Sequence, residues 1–339
     1  MNILYQFNEA YVPFAGVSIT SLLENNKDCD YIKIFVFDEH ISDASKEKLR
    51  KQVALFGEDR QIEFIDTAEI VEFMKKEGIP SYRGSYAANT RMFAGSILGS
   101  DVDRLLYLDA DTIVEDSLVE LYTYNLDGKA IGAALDALGG LHKQLIGMSE
   151  DGDYINSGVL LYDLKAYRDH ECEKKIIDHV HNVRAHYMSP DQDLINMALR
   201  EDLVILGAKY NLQTPFFAYD YDCFMKYFCQ SNMYDKEEVK TALNKPAVVH
   251  MYRFLGEFPW HKNNCHPCTH LFDKYLSMSL WNNYEKEISN QNGVTFKIER
   301  IMYRCMPHGL FLRIFKIFYE RFIRTAESQS LAGENSGKM

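Results

Sequence analysis

Short runs of apolar residues alternate with stretches of helical period along most of this chain. NILYQF (2–7), IKIFVF (32–37, ending at Asp38), QIEFI (61–65) and RLLYL (104–108, stopping at Asp109) have strand length and composition. Between them, Pro13 suits the first turn of a helix through Val17 and Leu22, and Leu49, Val53 and Phe56 recur at helical spacing within 43–56. The stretch YAANTRMFAGSIL (86–98) also reads as a helix, and another opens after Pro190. Later strands are expected at AIGAAL (130–135), GVLLYDL (158–164), LVIL (203–206) and AVVH (247–250). Such alternation predicts an α/β fold with a mostly parallel sheet and flanking helices. Ligands of such sheets bind beyond the carboxyl ends of the strands, and Asp109, Asp136 and His250 all fall at or just after such ends.

Composition narrows the class. Apolar residues make up 47% and charged residues 25%, as in soluble globular proteins. The net charge of -12 leaves no excess of cations for phosphate backbones, so no nucleic-acid partner is expected. Seven cysteines form no evenly spaced framework, which fits a reducing compartment. The N-terminus lacks the basic and apolar regions of a signal peptide, and no run reaches spanning length, so a cytoplasmic location is expected. Neither G-x-G-x-x-G after the first strand nor a P-loop is present.

Most of the chemistry lies in DRLLYLDADTIVEDSL (103–118). An apolar strand ends in Asp109-Ala110-Asp111, two carboxylates separated by a residue of little bulk. Oxygen ligands of this kind suit a hard divalent ion, and Mn²⁺ also accepts imidazole, which His250 offers. A diphosphate leaving group needs such an ion as charge builds on its oxygens. The plain alternatives are loop or capping acids and a partly buried strand histidine.

The segment RLLYLDADTIVEDSLVELY (104–122) resembles the signature of glycosyltransferase family 8, especially its bacterial lipopolysaccharide galactosyl- and glucosyltransferase branch. GDYINSGVLLYDL (152–164), SPDQDLINMAL (189–199) and a His followed by Gly and Pro-Trp (250–260) extend the likeness over about residues 1–265. The resemblance implies a GT-A type nucleotide-diphospho-sugar transferase fold and a retaining hexosyltransferase acting from UDP-glucose or UDP-galactose. The acceptor would be a saccharide or lipid-linked glycan in surface-glycan synthesis. It implies that Asp109, Asp111 and His250 hold Mn²⁺, with Mg²⁺ as the alternative. Asn8 (commonly Asp in the family), Tyr11, Arg91 and the Asp109-Ala110-Asp111 turn would bind the nucleotide sugar, together with Gly256. Asp136, Asn156, Asp191 and Gln192 would surround the reacting sugar, with Gly158 allowing close backbone approach. Read without the family, Tyr11 is equally a core aromatic, Asp136 a cap and Asp191 an acid at a helix start.

The chain also departs from the family, whose usual ending is His-x-x-Gly-x-x-Lys-Pro-Trp. Here the His250-to-Gly256 spacing is three residues longer and Phe258 precedes Pro259-Trp260, leaving Arg253 or Lys262 as the diphosphate cation. The departure keeps open a UDP-sugar-binding pseudoenzyme without efficient transfer. A metal-dependent phosphohydrolase with Asp109 as nucleophile is a further class, lacking an identifiable partner lysine. His261, Cys265, His266, Cys268 and His270 have zinc-like spacing in part but no established second pair. They are read as free thiols and surface histidines before a helix around 271–284.

Beyond 265 a helical appendage is expected over 266–326, then a flexible tail at 327–339. Residues 296–324 carry seven Lys/Arg and two Glu, divided by Pro307 and Gly309. Phe311, Ile314, Phe315, Phe318 and Phe322 recur at helical spacing, opposite Arg313, Lys316, Glu320 and Arg324. That pattern predicts an interfacial helix on an anionic membrane, at the inner face of the cytoplasmic membrane; packing on the main domain and self-association are the alternatives.

Overall fold

A computed structural model of the chain describes residues 1–321 except 83, 184, 186, 229 and 320. Phe322, Arg324, Glu320, Cys229 and the tail expected at 327–339 lie outside the described residues. Ten strands occur among the described residues: β1 (Asn2–Asn8), β2 (Ile32–Glu39), β3 (Arg60–Asp66), β4 (Arg104–Asp109), β5 (Thr112–Val114), β6 (Ile131–Leu135), β7 (Ile155–Asp163), β8 (Leu203–Ile205), β9 (Leu212–Gln213) and β10 (Val248–His250). Seven form one sheet in the order β3-β2-β1-β4-β7-β6-β8, and β5-β10-β9 form a smaller one.

The large sheet is parallel except for β7, which runs antiparallel to both β4 and β6. From β1 the chain winds outward to β2 and β3, then returns to place β4 on the other side of β1. This reversal opens a crevice at the carboxyl ends of β1 and β4, where Asn8 and Asp109 stand. Because β7 runs the other way, its first residues, not its last, reach the same edge.

Both faces of the sheet are covered. Leu106 and Leu108 join one core cluster with Val17, Leu22 and Leu23 of the helix Val12–Glu24, while Leu105 and Tyr107 join another with Phe93, Leu194 and Ile195. Burial on alternate sides explains why LLYL (105–108) is apolar without interruption. Most expected elements are present, with one change of type: residues 86–98 form a 3-10 segment, Ala87–Phe93, and a short α turn, Ala94–Ile97.

The described residues past 265 pack onto this core. The helix Thr269–Met278 buries Phe272 and Tyr275 beside Phe14, and Trp281 fills the space over Gly16. A helix Val294–Cys305 and another at 308–319 follow; Met306-Pro307 divides them, and Gly309 lies inside the second. Phe311 and Phe315 pack on Phe228, Tyr219 and Tyr303, whereas Phe318 is exposed. The expected aromatic stripe is therefore divided between core and solvent. Among the described residues no helix is long and apolar enough to cross a membrane.

Candidate active site

The junction of the two sheets gathers the acidic turn and His250. Asp109 ends β4, the chain turns through Ala110 and Asp111, and β5 starts immediately beyond. β10 pairs with β5 so that His250 lies opposite Thr112. Ligand atoms of Asp109, Asp111 and His250 fall within 4.8 Å of one another, the one such group among the described residues. His250 Nε2 stands 3.3 Å from Asp111 Oδ1 and 3.7 Å from Asp109 Oδ2.

Neighbouring groups leave these atoms free. Asp109 Oδ1 faces Arg91 Nη1 at 3.0 Å and accepts from the Tyr107 hydroxyl, so Oδ2 is the oxygen turned to His250. His250 Nδ1 faces Asn211 Oδ1 at 3.2 Å, leaving Nε2 toward the carboxylates. Gly158 makes room: a Cβ there would lie 2.2 Å from His250 Cε1 and 2.9 Å from Asp109 Oδ2. Two carboxylate oxygens and one imidazole nitrogen, with Asp109 and His250 each held by a further partner, fit a divalent ion such as Mn²⁺ or Mg²⁺.

The charges adjust to one another. Burial raises the Asp109 pKa above the usual carboxylate range, opposed by Arg91 and assisted by Asp111. Burial also works against the Asp111 carboxylate, but the charge and hydrogen bond of His250 outweigh it and its pKa lies low. Burial disfavours the charged form of His250, yet Asp111 and Asp109 prevail and its pKa is raised.

A second network occupies the β7 side of the cleft. Asp136 Oδ2 accepts from Asn156 Nδ2 at 2.8 Å and Gln192 Nε2 at 3.2 Å, and Oδ1 from the Leu138 N–H at 2.7 Å. Gln192 Oε1 accepts from the Ser157 N–H at 3.0 Å, and Asp191 Oδ2 from the Ser157 hydroxyl at 2.9 Å. Arg91, in the 3-10 segment, lies over the Tyr107 ring at 4.2 Å from its centroid and joins the networks, donating to Ser157 O at 3.0 Å with Asp191 Oδ2 3.6 Å away. Its guanidinium thereby bridges the two networks within the cleft lining. Asn8, Tyr11, Arg91, Asp109, Ala110, Asp111, Asp136, Asn156, Asp191, Gln192 and His250 line one cleft of about 460 Å³, a size suited to a small ligand.

Three of the expected residues are not among those that line this cleft. Gly256 lies in the left-handed region at φ 79°, where a Cβ would meet Phe296 at 2.7 Å, and its carbonyl accepts from Ser289. Lys262 is exposed, and its backbone N–H donates to Glu287. Arg253 stacks 4.9 Å from the Phe258 ring centroid, and Phe258 continues through Trp260 to Phe14 as an aromatic stack. Arg253 Nε is buried without a hydrogen-bond partner. Its charge is felt by Tyr11, whose hydroxyl is pushed up to about 12 by burial and Asp111, with Arg253 opposing. Asn8 caps the 3-10 turn Glu9–Tyr11 by accepting from the Ala10 N–H.

Residue reasoning missed Tyr107 and Asn211. Tyr107 precedes Asp109 by two, which puts both on one side of β4, and that periodicity is the signal that could have found it. Asn211 carries no motif. The zinc-like cluster does not converge. Cys265 and Cys268 are free thiols, as expected, but His266 is a buried residue rather than a surface one.

Comparisons with known proteins agree with this geometry. Residues 2–264 match Glycosyl transferase family 8. General stress protein A of Bacillus subtilis (strain 168) is 25% identical over 296 residues, covering 86% of this chain and 98% of the relative. A lipopolysaccharide 1,2-glucosyltransferase of Escherichia coli (strain K12) is 26% identical over 288 residues, 83% of this chain and 79% of that protein. The solved galactosyltransferase LgtC, in complex with donor and acceptor sugar analogs, superposes with a TM-score of 0.64 at 24% identity, covering 83% of this chain and 96% of that one. The likeness to LgtC shows a GT-A type fold. This chain belongs to glycosyltransferase family 8 and is a glycosyltransferase, which sets the phosphohydrolase alternative aside.

Proposed function

We propose that this protein transfers glucose or galactose from a UDP-sugar to a saccharide acceptor, with retention of the α configuration and with a divalent ion, Mn²⁺ or Mg²⁺. The observation that carries this reading is the convergence of Asp109, Asp111 and His250 beside the Asp136–Asn156–Gln192 network in one cleft. A bound cation would neutralise the charge that develops on the diphosphate as it leaves. The names of the E. coli glucosyltransferase and of LgtC support both hexoses as donors and a lipopolysaccharide or other surface glycan as acceptor.

The residues in and beside the cleft then divide the work. Asn8 and Tyr11 hold the base. Arg253 supplies the cation that family members take from a lysine, since it stands near Tyr11 with an unpaired Nε while Lys262 does not. Asp136, Asn156 and Asp191 fix sugar hydroxyls. Gln192 presents its amide dipole to the positive charge that builds at the anomeric carbon. The bond from that carbon to the phosphate oxygen breaks, the acceptor oxygen bonds on the same face, and its proton passes to the departing phosphate oxygen. Gln192 Oε1 already accepts from Ser157, which weighs against a covalent adduct through it, the alternative route.

The C-terminal helices would rest on an anionic membrane surface, using the apolar side chains that stay outside the core, Phe318 of the aromatic stripe among them. Val294, Ile298 and Ile301 are 73%, 50% and 62% exposed at i, i+4 and i+7, and Ile317 and Phe318 extend the apolar surface. These stand among Lys297, Arg304, Arg313 and Arg321.

The experiment is a donor screen with UDP-glucose and UDP-galactose against a panel of acceptor sugars, with the product read by proton NMR. An α-linked product supports the proposal. A β linkage rejects retention, and UDP binding without turnover on any acceptor favours the pseudoenzyme.

A further inference from the structure

We propose that Asn211 is a positioning residue for the metal site, fixing His250 as the Nδ1–H tautomer and thereby presenting Nε2 to the ion. The inference rests on the metal reading above. Asn211 follows the 3-10 turn Ala208–Tyr210 and leads into β9, whose Gln213 pairs with His250 in β10. It lies outside the acidic turn and outside the motifs that single out the other site residues.

Its orientation follows from one fixed point. Both oxygens of Asp136 accept hydrogen bonds, so the Asn156 atom 2.8 Å from Oδ2 must be its nitrogen. The amide oxygen of Asn156 then points the other way, where it accepts from the Gly158 N–H at 3.0 Å and from Asn211 Nδ2 at 2.9 Å. With its nitrogen so used, Asn211 turns its oxygen to His250 Nδ1 at 3.2 Å. An oxygen acceptor there requires a proton on Nδ1. In the neutral ring Nε2 then carries the lone pair, on the side of Asp111 and Asp109. Asp136, Asn156, Asn211 and His250 are all buried, so water does not compete for these bonds.

The chain of amides thus runs from the carboxylate on the sugar side of the cleft to the imidazole on the metal side. Asn211→Leu removes both hydrogen bonds at similar volume. Asn211→Asp keeps an oxygen for Nδ1 but loses the donor to Asn156.

The test titrates Mn²⁺ into the full-length protein without nucleotide, reading the free ion by electron paramagnetic resonance. Wild type binds. Asn211→Leu loses about 10- to 100-fold in affinity, while Asn211→Asp stays within about threefold of wild type. In parallel, nitrogen NMR of ¹⁵N-histidine-labelled wild type loaded with Mg²⁺, a diamagnetic probe, shows His250 protonated at Nδ1 and ligated through Nε2. A folded Asn211→Leu protein that binds Mn²⁺ as wild type does, or a ring protonated at Nε2, overturns the proposal while leaving the metal site intact. Wild type that binds neither ion overturns the metal reading itself and the role of Asn211 with it. Should Asn211→Leu fail to fold, the wild-type spectrum and the Asp variant decide: a tenfold loss in Asn211→Asp also counts against it.

Discussion

Gly158 sits inside β7 with a bare backbone, and the His250 imidazole fills the space a side chain would take. Gly158→Ala is therefore predicted to displace His250 and weaken Mn²⁺ binding at least about tenfold, with the fold kept; calorimetric titration of the metal checks it, and unchanged affinity would refute the crowding argument. Arg253→Gln is predicted to lower kcat/KM at least about tenfold, through kcat as well as the donor KM, because the charge it meets grows as the diphosphate leaves. Lys262→Ala should leave both constants alone, and the reverse pattern in steady-state kinetics would move the cation to Lys262. The metal candidates were legible as residues because two acids close one apolar strand and a histidine closes another. Arg91 was legible only as a cation near a diphosphate; its bonds to Asp109 and Ser157 show what its burial is for. Asn211 was not legible, since an uncharged amide declares its role only through the partners it meets in space.

At the scale of elements, the apolar runs gave away all seven strands of the large sheet and β10 of the small one. β5 and β9, of three and two residues, carry no period at all, yet with β10 they make the small sheet that delivers His250. Strand direction is likewise absent from a hydrophobic pattern, so the antiparallel β7, which brings Asn156 and Ser157 to the site edge, could be named only through family likeness. The loop after β10 shows a different limit. Cysteine and histidine spacing there suggested zinc, whereas His266 is held neutral: Nε2 faces Tyr252 O at 3.1 Å and Nδ1 accepts from the Cys268 N–H. Burial lowers its pKa to about 4. The unfolded chain protonates this histidine near pH 6.5 and the native one does not until about pH 4, so its contribution falls as pH drops between those values. The loss amounts to about 3 kcal/mol across that window. Urea unfolding at pH 7 and pH 4 should show wild type losing that much more stability than His266→Gln; parallel losses would contradict the assignment.

Over the whole molecule, charge is segregated: residues 296–324 are cationic in a chain of net charge -12. The structure turns part of the expected aromatic stripe inward, because Phe311 completes a cluster with Phe224 and Phe228, and leaves other apolar side chains outside. A buried pair between Arg300 and Glu257 ties the first C-terminal helix to the loop after His250, so truncation would disturb the site as well as the surface. Ile298→Glu combined with Ile301→Glu and Phe318→Glu is the cleaner test. It should abolish cosedimentation with anionic liposomes at low salt while sparing turnover, and unchanged pelleting would end the membrane reading. The central claim is that Asp109, Asp111 and His250 hold a divalent ion on which transfer from a UDP-sugar depends. The most direct measurement is UDP release from UDP-glucose and UDP-galactose by the full chain with Mn²⁺, with EDTA, and with Asp111→Asn. Release with Mn²⁺, its loss in EDTA, recovery on adding the ion back, and near-complete loss in a folded Asp111→Asn protein are predicted; full turnover in EDTA, or an Asp111→Asn protein as active as wild type, would contradict it.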